Sequence, residues 1–257
     1  NNVDALPEGT KKIVQSMLKV VDTSNCKLAN QRLQNIDSIK LQGTFDDFRP
    51  LMSLKKLKRL DVLVLFKRDV DLKGISRLSN LTHLTISADI RNIKPLTKLK
   101  KLTHLDLNAN ELEDIGPFAK LDNLKSLDLL GVNVSGDLTE LSHLSQLESL
   151  SFSGSEITSL AFLENMNYLK SLRIPGLKVA DLTPLKKLQR LEKLAIPYSA
   201  VKDVQPLACL KNLVELDLRG TLVNDLMPLS KLPHLETLRV GKIEGTRCRL
   251  CPSLSRP

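Results

Sequence analysis

The stretch "LTKLKKLTHLDLNANELEDIGPFAKL", residues 96–121, carries its leucines on a ruler: Leu99, Leu102, Leu105 and Leu107 fall three, three and two residues apart. At its centre, "HLDLN" alternates. On an extended strand Leu105 and Leu107 point to one side, and His104, Asp106 and Asn108 to the other. The leucines suit a core and the alternate residues an open sheet face. Leu112, Ile115, Phe118 and Leu121 then supply inward pegs for the segment that returns from the strand. One such turn of chain cannot bury this set alone, but a stack of them can.

The same spacing fills most of the chain. Aligned on the last apolar residue of each "LxxLxL", the anchors are Leu41, Leu65, Ile86, Leu107, Leu129, Phe152, Ile174, Ile196, Leu218 and Val240. The steps between them are 24, 21, 21, 22, 23, 22, 22, 22 and 22. A period near 22 with this leucine spacing is the signature of leucine-rich repeats. The expected fold is an α/β solenoid: a right-handed leucine-rich-repeat superhelix with a parallel concave sheet of ten strands and an N-terminal helical cap. Composition agrees. Aromatics are 3% against 42% hydrophobic residues, so the core must be aliphatic, which suits a repeat stack better than a sandwich or barrel. The 24-residue step, with its extra triplet in "LMSLKKLKRLDVLVL", predicts local irregularity in the early coils.

Three of the later coils read "VADLTPLKKLQRLEKLAI", "VKDVQPLACLKNLVELDL" and "VNDLMPLSKLPHLETLRV". They resemble the internalin-type repeat of bacterial leucine-rich-repeat proteins over roughly residues 33–243. Asp181, Asp203 and Asp225 precede a short convex turn, where a carboxylate can cap free N–H groups. Pro184, Pro206 and Pro228 fit an early helical position, which has no need of an N–H. The departure is the usual asparagine after the strand. Asn110 retains it, while Val132, Ser155, Leu177, Ser199 and Thr221 replace it.

The boundaries read from the pattern are 1–35 for a helical cap, 36–243 for the repeats and 244–257 for a C-terminal tail. In "GTKKIVQSMLKVVD", Ile13, Met17 and Val20 or Val21 share a helical face, with Thr10 as N-cap. A second short helix is expected over "CKLANQRLQN". The terminal "CRLCP" resembles the flanks of secreted bacterial leucine-rich-repeat proteins, which implies an oxidising compartment and a secreted, periplasmic or cell-envelope location. Ten strands at about 4.8 Å would separate Cys26 from Cys248 by far more than a disulfide spans. Cys248–Cys251 and Cys209–Cys248 both stay open. No signal peptide is visible, and no apolar run approaches the roughly 20 residues that span a bilayer.

Chemistry is sparse. Phosphate loops, "GxSxG", "HExxH" and EF-hand patterns are absent. His83 and His104 occupy equivalent strand positions, with Asp106 two residues beyond, but neither a nucleophile nor a third metal ligand accompanies them. No metal, no cofactor and no enzyme activity are expected. The net charge of +9 favours an acidic partner. Lysine runs such as "SLKKLKRL" and "KLKKLTHL" place a basic stripe along one flank, which offers an anionic glycan or lipid a site. Scarce aromatics argue against nucleic acid.

The open strand face carries the stronger signal. It begins with Val62, Val64 and Phe66, an apolar triplet. His83, Thr85, Ser87, His104, Asp106, Asn108 and Asp128 follow, then Ser149, Ser151 and Ser153. Arg173, Lys193, Glu215, Asp217, Arg219 and Arg239 close it, with Arg219 pairing to Glu215 or Asp217. Apolar patches beside charge suit protein recognition. The expectation is a monomeric, non-enzymatic module that binds a protein through this face. Internalin-like proteins bind host or envelope proteins, and the resemblance implies a similar role.

Overall fold

The computed structural model describes residues 3–45, 47–65, 70–109, 112, 114–132, 134, 138–153 and 157–241. They belong to two compact units, Asn1–Asn133 and Val134–Pro257. The first holds helices α1 (Glu8–Val20) and α2 (Cys26–Leu33) and strands β1 (Ser38–Gly43), β2 (Arg59–Val64), β3 (His83–Ser87), β4 (His104–Asn108) and β5 (Ser126–Leu129). The second holds β6 (Ser149–Phe152), β7 (Ser171–Arg173), β8 (Lys193–Ala195), β9 (Glu215–Leu218) and β10 (Thr237–Val240). Within each unit every strand pairs in parallel with the next one in the chain. The chain is a leucine-rich-repeat α/β solenoid.

Each coil closes by the same local physics. Between strands runs a single 3₁₀ turn, such as Lys94–Lys98, followed by a staircase of short-range bonds. The N–H of Leu96 donates to Ile93 O, that of Leu99 to Leu96 O, and that of Leu102 to Leu99 O. Each bond folds the chain back by three residues and turns another leucine inward. Leu96, Leu99, Leu102, Leu105 and Leu107 are all buried, each contributing about 1.5–3 kcal/mol of apolar burial. The caps expected from the aspartates form: Asp181, Asp203 and Asp225 Oδ1 accept from the N–H of Thr183, Gln205 and Met227 at 2.7–2.8 Å. Asn92 and Asp114 act in the same way on Lys94 and Gly116. At the missing-asparagine positions Val132, Leu177 and Ser199 are simply buried, and Thr221 Oγ1 donates back to Leu218 O. Asn110 and Ser155 lie outside the described residues.

The second strand corrects the alignment. Leu41 pairs with Val62, and Val62 with Ile86, so the anchor is Val62 rather than Leu65. The steps become 21 and then 24, and the extra triplet follows β2 instead of preceding it. Val62 and Val64 therefore point into the core, at 2% and 7% exposure. Asp61 and Leu63 take the open face. Leucine triplets on both sides of the strand made two registers equally plausible, and a slip of three residues exchanges the faces. An apolar element persists there, because Leu63 and Leu65 are each 37% exposed. Phe66 lies outside the described residues.

The N-terminal helices form near the expected places. Ile13, Met17 and Val21 are buried, whereas Val20 is exposed, and α1 packs against β1. Asn25 caps α2 through two N–H bonds to its Oδ1. Thr10 is not an N-cap, since α1 already begins at Glu8. Its hydroxyl instead donates to Asp47. Asp47 also accepts from the Arg49 side chain and backbone, so one carboxylate ties α1 to the first return turn. These bonds hold its pKa down at about 2, led by the Arg49 side chain and opposed by partial burial. Because the folded pKa lies below the unfolded one, this stabilisation is present above pH 4 and lost as pH falls toward 2. Asp47→Asn is expected to cost about 1–2 kcal/mol at neutral pH. It should also flatten the acid limb of a urea-stability profile between about pH 4 and 2; an unchanged limb would remove Asp47 from this role.

Candidate functional site

In the first unit the open face is an ordered grid. One row across the strands reads Ser38, Arg59, His83, His104 and Ser126; the next reads Lys40, Asp61, Thr85, Asp106 and Asp128. Leu63, Ser87 and Asn108 continue a third row. His83 and His104 stack with ring centroids 4.2 Å apart and planes 9° from parallel. A threonine stands before each histidine. Thr82 and Thr103 Oγ1 donate to the carbonyls of Lys58 and Thr82, and each also lies 2.9 Å from the Nδ1 of its own histidine.

Charge in this grid is crowded. Burial, the adjacent His104 and Arg59 lower the pKa of His83. Burial, Asp128 and Asp61 raise that of Asp106. His83 therefore favours its neutral form in the fold, and the associated stability falls as pH drops through the histidine range. In an NMR titration His104→Ala should raise the His83 pKa without fully restoring it, because burial remains; a further drop would contradict this account.

The second unit carries a cationic face. Arg173, Lys193 and Arg239 are exposed. Lys193 pairs with Glu215 on the neighbouring strand at 2.5 Å. Arg219 pairs with Asp217 rather than with Glu215, its Nη2 lying 2.7 Å from Oδ2 and its Nε 3.0 Å from Oδ1. Asp217 does not present itself to a partner as expected: it is only 4% exposed, because Arg219 folds back over it. Burial works to raise the Asp217 carboxyl, but the hydrogen bonds and charge of Arg219 outweigh it and hold the pKa below the usual range.

Tyr198 went unrecognised in the sequence. It is 72% exposed and sits in the left-handed region at φ 57°. Gly131, Gly176 and Gly220, two residues past the anchors Leu129, Ile174 and Leu218, share that conformation. Tyr198 stands at the same place past Ile196, where glycine is the comfortable choice. Its ring lies over Gly220, whose added Cβ would fall 2.5 Å from Tyr198 Cδ1, and its N–H donates to Arg219 O. Reading "IPYSA" against "IPGLK" would have exposed the substitution.

The free thiols Cys26 and Cys209 are exposed and half-buried respectively. Cys248, Cys251 and the tail from 244 onward lie outside the described residues. No helix among those described is long and apolar enough to cross a membrane.

The family model of Leucine Rich repeats (2 copies) matches residues 79–120 and 100–143. A comparison with curated proteins finds no match. Among solved structures, an internalin (inlF) of Listeria monocytogenes superposes with a TM-score of 0.79 at 26% identity, over 90% of this chain and 68% of its own. Internalin C2 of the same organism gives 0.66 at 26% identity, over 89% and 92%. A leucine-rich-repeat protein of Leptospira interrogans gives 0.62 at 19% identity, over 86% and 76%, a likeness of fold. Proteins of this architecture are generally binding modules rather than enzymes, and they usually bind proteins through the strand face. The register, the capped 3₁₀ returns and these likenesses agree that the chain is a leucine-rich-repeat solenoid, similar to the bacterial internalins.

Proposed function

We propose that this protein is a non-enzymatic module of the cell envelope or exterior that binds another protein through its open strand faces. In the first unit the contacts fall to Leu63, His83, Thr85, His104, Asp106, Asn108 and Asp128. In the second they fall to Arg173, Lys193, Glu215, Arg219 and Arg239, joined by Tyr198, with Asp217 holding Arg219 in place. Residues 1–35 serve as the cap and 36–243 as the binding solenoid.

Tyr198 is the observation that carries this reading. A large aromatic occupies a left-handed position used elsewhere by glycine, yet its ring is exposed beside an arginine. Such strain persists where the surroundings over-determine it and function uses it, and Tyr and Arg are the usual anchors of protein interfaces. The test is affinity capture from envelope and host-cell extracts. Wild type is run beside two folded variants, Tyr198→Gly/Arg173→Glu and His104→Ala/Asp106→Lys. A protein held by wild type and lost by either variant would support the reading and name the partner; equal capture by all three would sink it.

A further inference from the structure

A second cleft adjoins the open strand face, at the point where chain enters the strands of the first unit. Lys56, Lys58, Lys101, Asn35, Asn80 and Thr82 line a cleft of about 440 Å³ there, within the size range of small-ligand sites. Asp37 is its one carboxylate among the described residues. Two of the three lysines are held by neutral groups. Lys56 Nζ donates to Asn35 Oδ1 at 2.9 Å, and Lys101 Nζ to Asn80 Oδ1 at 2.6 Å. Each amide is tethered in turn, Asn35 Nδ2 to Gln31 O and Asn80 Nδ2 to Lys55 O. These two ammonium groups are thus positioned by uncharged partners.

The second unit provides an internal comparison. Equivalent repeat positions there line a cleft of the same volume, about 440 Å³, with Lys170, Arg190, Glu192, Asn212, His234 and Glu236. Its two strong cations face two carboxylates. Lys170 pairs with Glu148 at 2.9 Å, and Arg190 lies over the Tyr168 ring at 4.5 Å. Lysines that only kept the solenoid soluble would be satisfied in this way. In the first unit three lysines share the single carboxylate of Asp37.

We infer that the cleft of Lys56, Lys58 and Lys101 binds the acidic groups of a sulfated glycan. Lys56 and Lys101 stand two coils apart, about 10 Å at the strand spacing, so they can meet separate sulfates of one oligosaccharide. Asn and Thr side chains offer hydrogen bonds to sugar hydroxyls. Among the described residues the cleft has no aromatic lining for base stacking, which disfavours single-stranded nucleic acid. Among them it has no apolar lining residue to enter a bilayer either.

The test is calorimetric titration of the whole chain with a size-defined heparin hexasaccharide, at two salt concentrations. A desulfated hexasaccharide, a 20-nucleotide DNA strand and vesicles with anionic lipid are the comparison ligands. The variants are Lys56→Gln/Lys58→Gln/Lys101→Gln, the same triple to Glu, and a charge-matched control, Lys186→Glu/Lys202→Glu/Lys231→Glu, in the second unit. Tenfold or greater loss for both cleft triples, less than threefold for the control, and no binding of the desulfated sugar are expected. Equal loss in the control, equal binding of the desulfated sugar, tighter binding of DNA or vesicles, or no binding of the sulfated sugar by wild type would each overturn the inference.

Discussion

Gly74→Ala is expected to destabilise the protein by about 2–3 kcal/mol, the upper range for overpacking a tight core. A Cβ at this buried residue would lie 2.3 Å from the backbone carbon of Phe48, 2.4 Å from its oxygen and 2.6 Å from Arg49 N. Backbone cannot rotate away as a side-chain tip can, so the returns at Arg49–Ser53 and Ile75–Arg77 would have to separate. The repeat pattern argues the other way. Gly74 occupies the place of Pro50, Pro95, Pro117, Pro184, Pro206 and Pro228 in their coils, and its φ of −62° suits proline. By consensus alone Gly74→Pro would stabilise, through a less flexible unfolded chain. The geometry reverses that sign, because proline brings the same Cβ to the same backbone. Urea unfolding of both variants decides the matter. A fall in midpoint at constant slope for each is expected, and a more stable Gly74→Pro would refute the close approach.

The contact at Gly74 also marks the limit of what sequence could reveal. Where coils keep the 22-residue period, as from Ile174 to Val240, leucine spacing, aspartate caps and proline positions all specify one register. Around β2 the run "LKKLKRLDVLVL" offers leucines at two registers, and only the pairing of Val62 with Leu41 and Ile86 selects between them. Charge partners were less legible than faces. Alternation places Glu215, Asp217 and Arg219 on one side of a strand, but the choice of Asp217 over Glu215 depends on side-chain reach. Once Lys193 engages Glu215, Arg219 folds over its second neighbour. Thr10 was misread because a threonine before an apolar helical run resembles a cap, while its true partner, Asp47, is 37 residues away. The lysine flank was visible as composition. Its asymmetry, with three lysines to one carboxylate in the first cleft and two strong cations to two carboxylates in the second, emerges only when equivalent positions are brought together in space.

Tyr198→Gly should separate stability from recognition, moving them in opposite directions. A non-glycine residue in the left-handed region costs about 1–2 kcal/mol. Glycine removes that strain but returns part of it, about 0.4–1 kcal/mol, as added freedom of the unfolded chain. Losing the ring contact over Gly220 costs little, since the side chain is largely exposed. The net expectation is a protein more stable than wild type by about 0.5–1 kcal/mol. Tyr198→Ala keeps the strained backbone and loses the ring, so it should fall below both. Toward the protein partner isolated by capture, both variants should bind at least about 30-fold more weakly, corresponding to roughly 2 kcal/mol for an interface anchor. The alanine variant separates the causes. If Tyr198→Gly proves less stable than Tyr198→Ala, backbone strain is not what this position carries. If both variants bind as wild type does, the tyrosine is tolerated there without serving recognition. A stabilised glycine variant that has lost its partner would instead mean that the repeat accepts a strained turn in order to hold an aromatic ring at the surface.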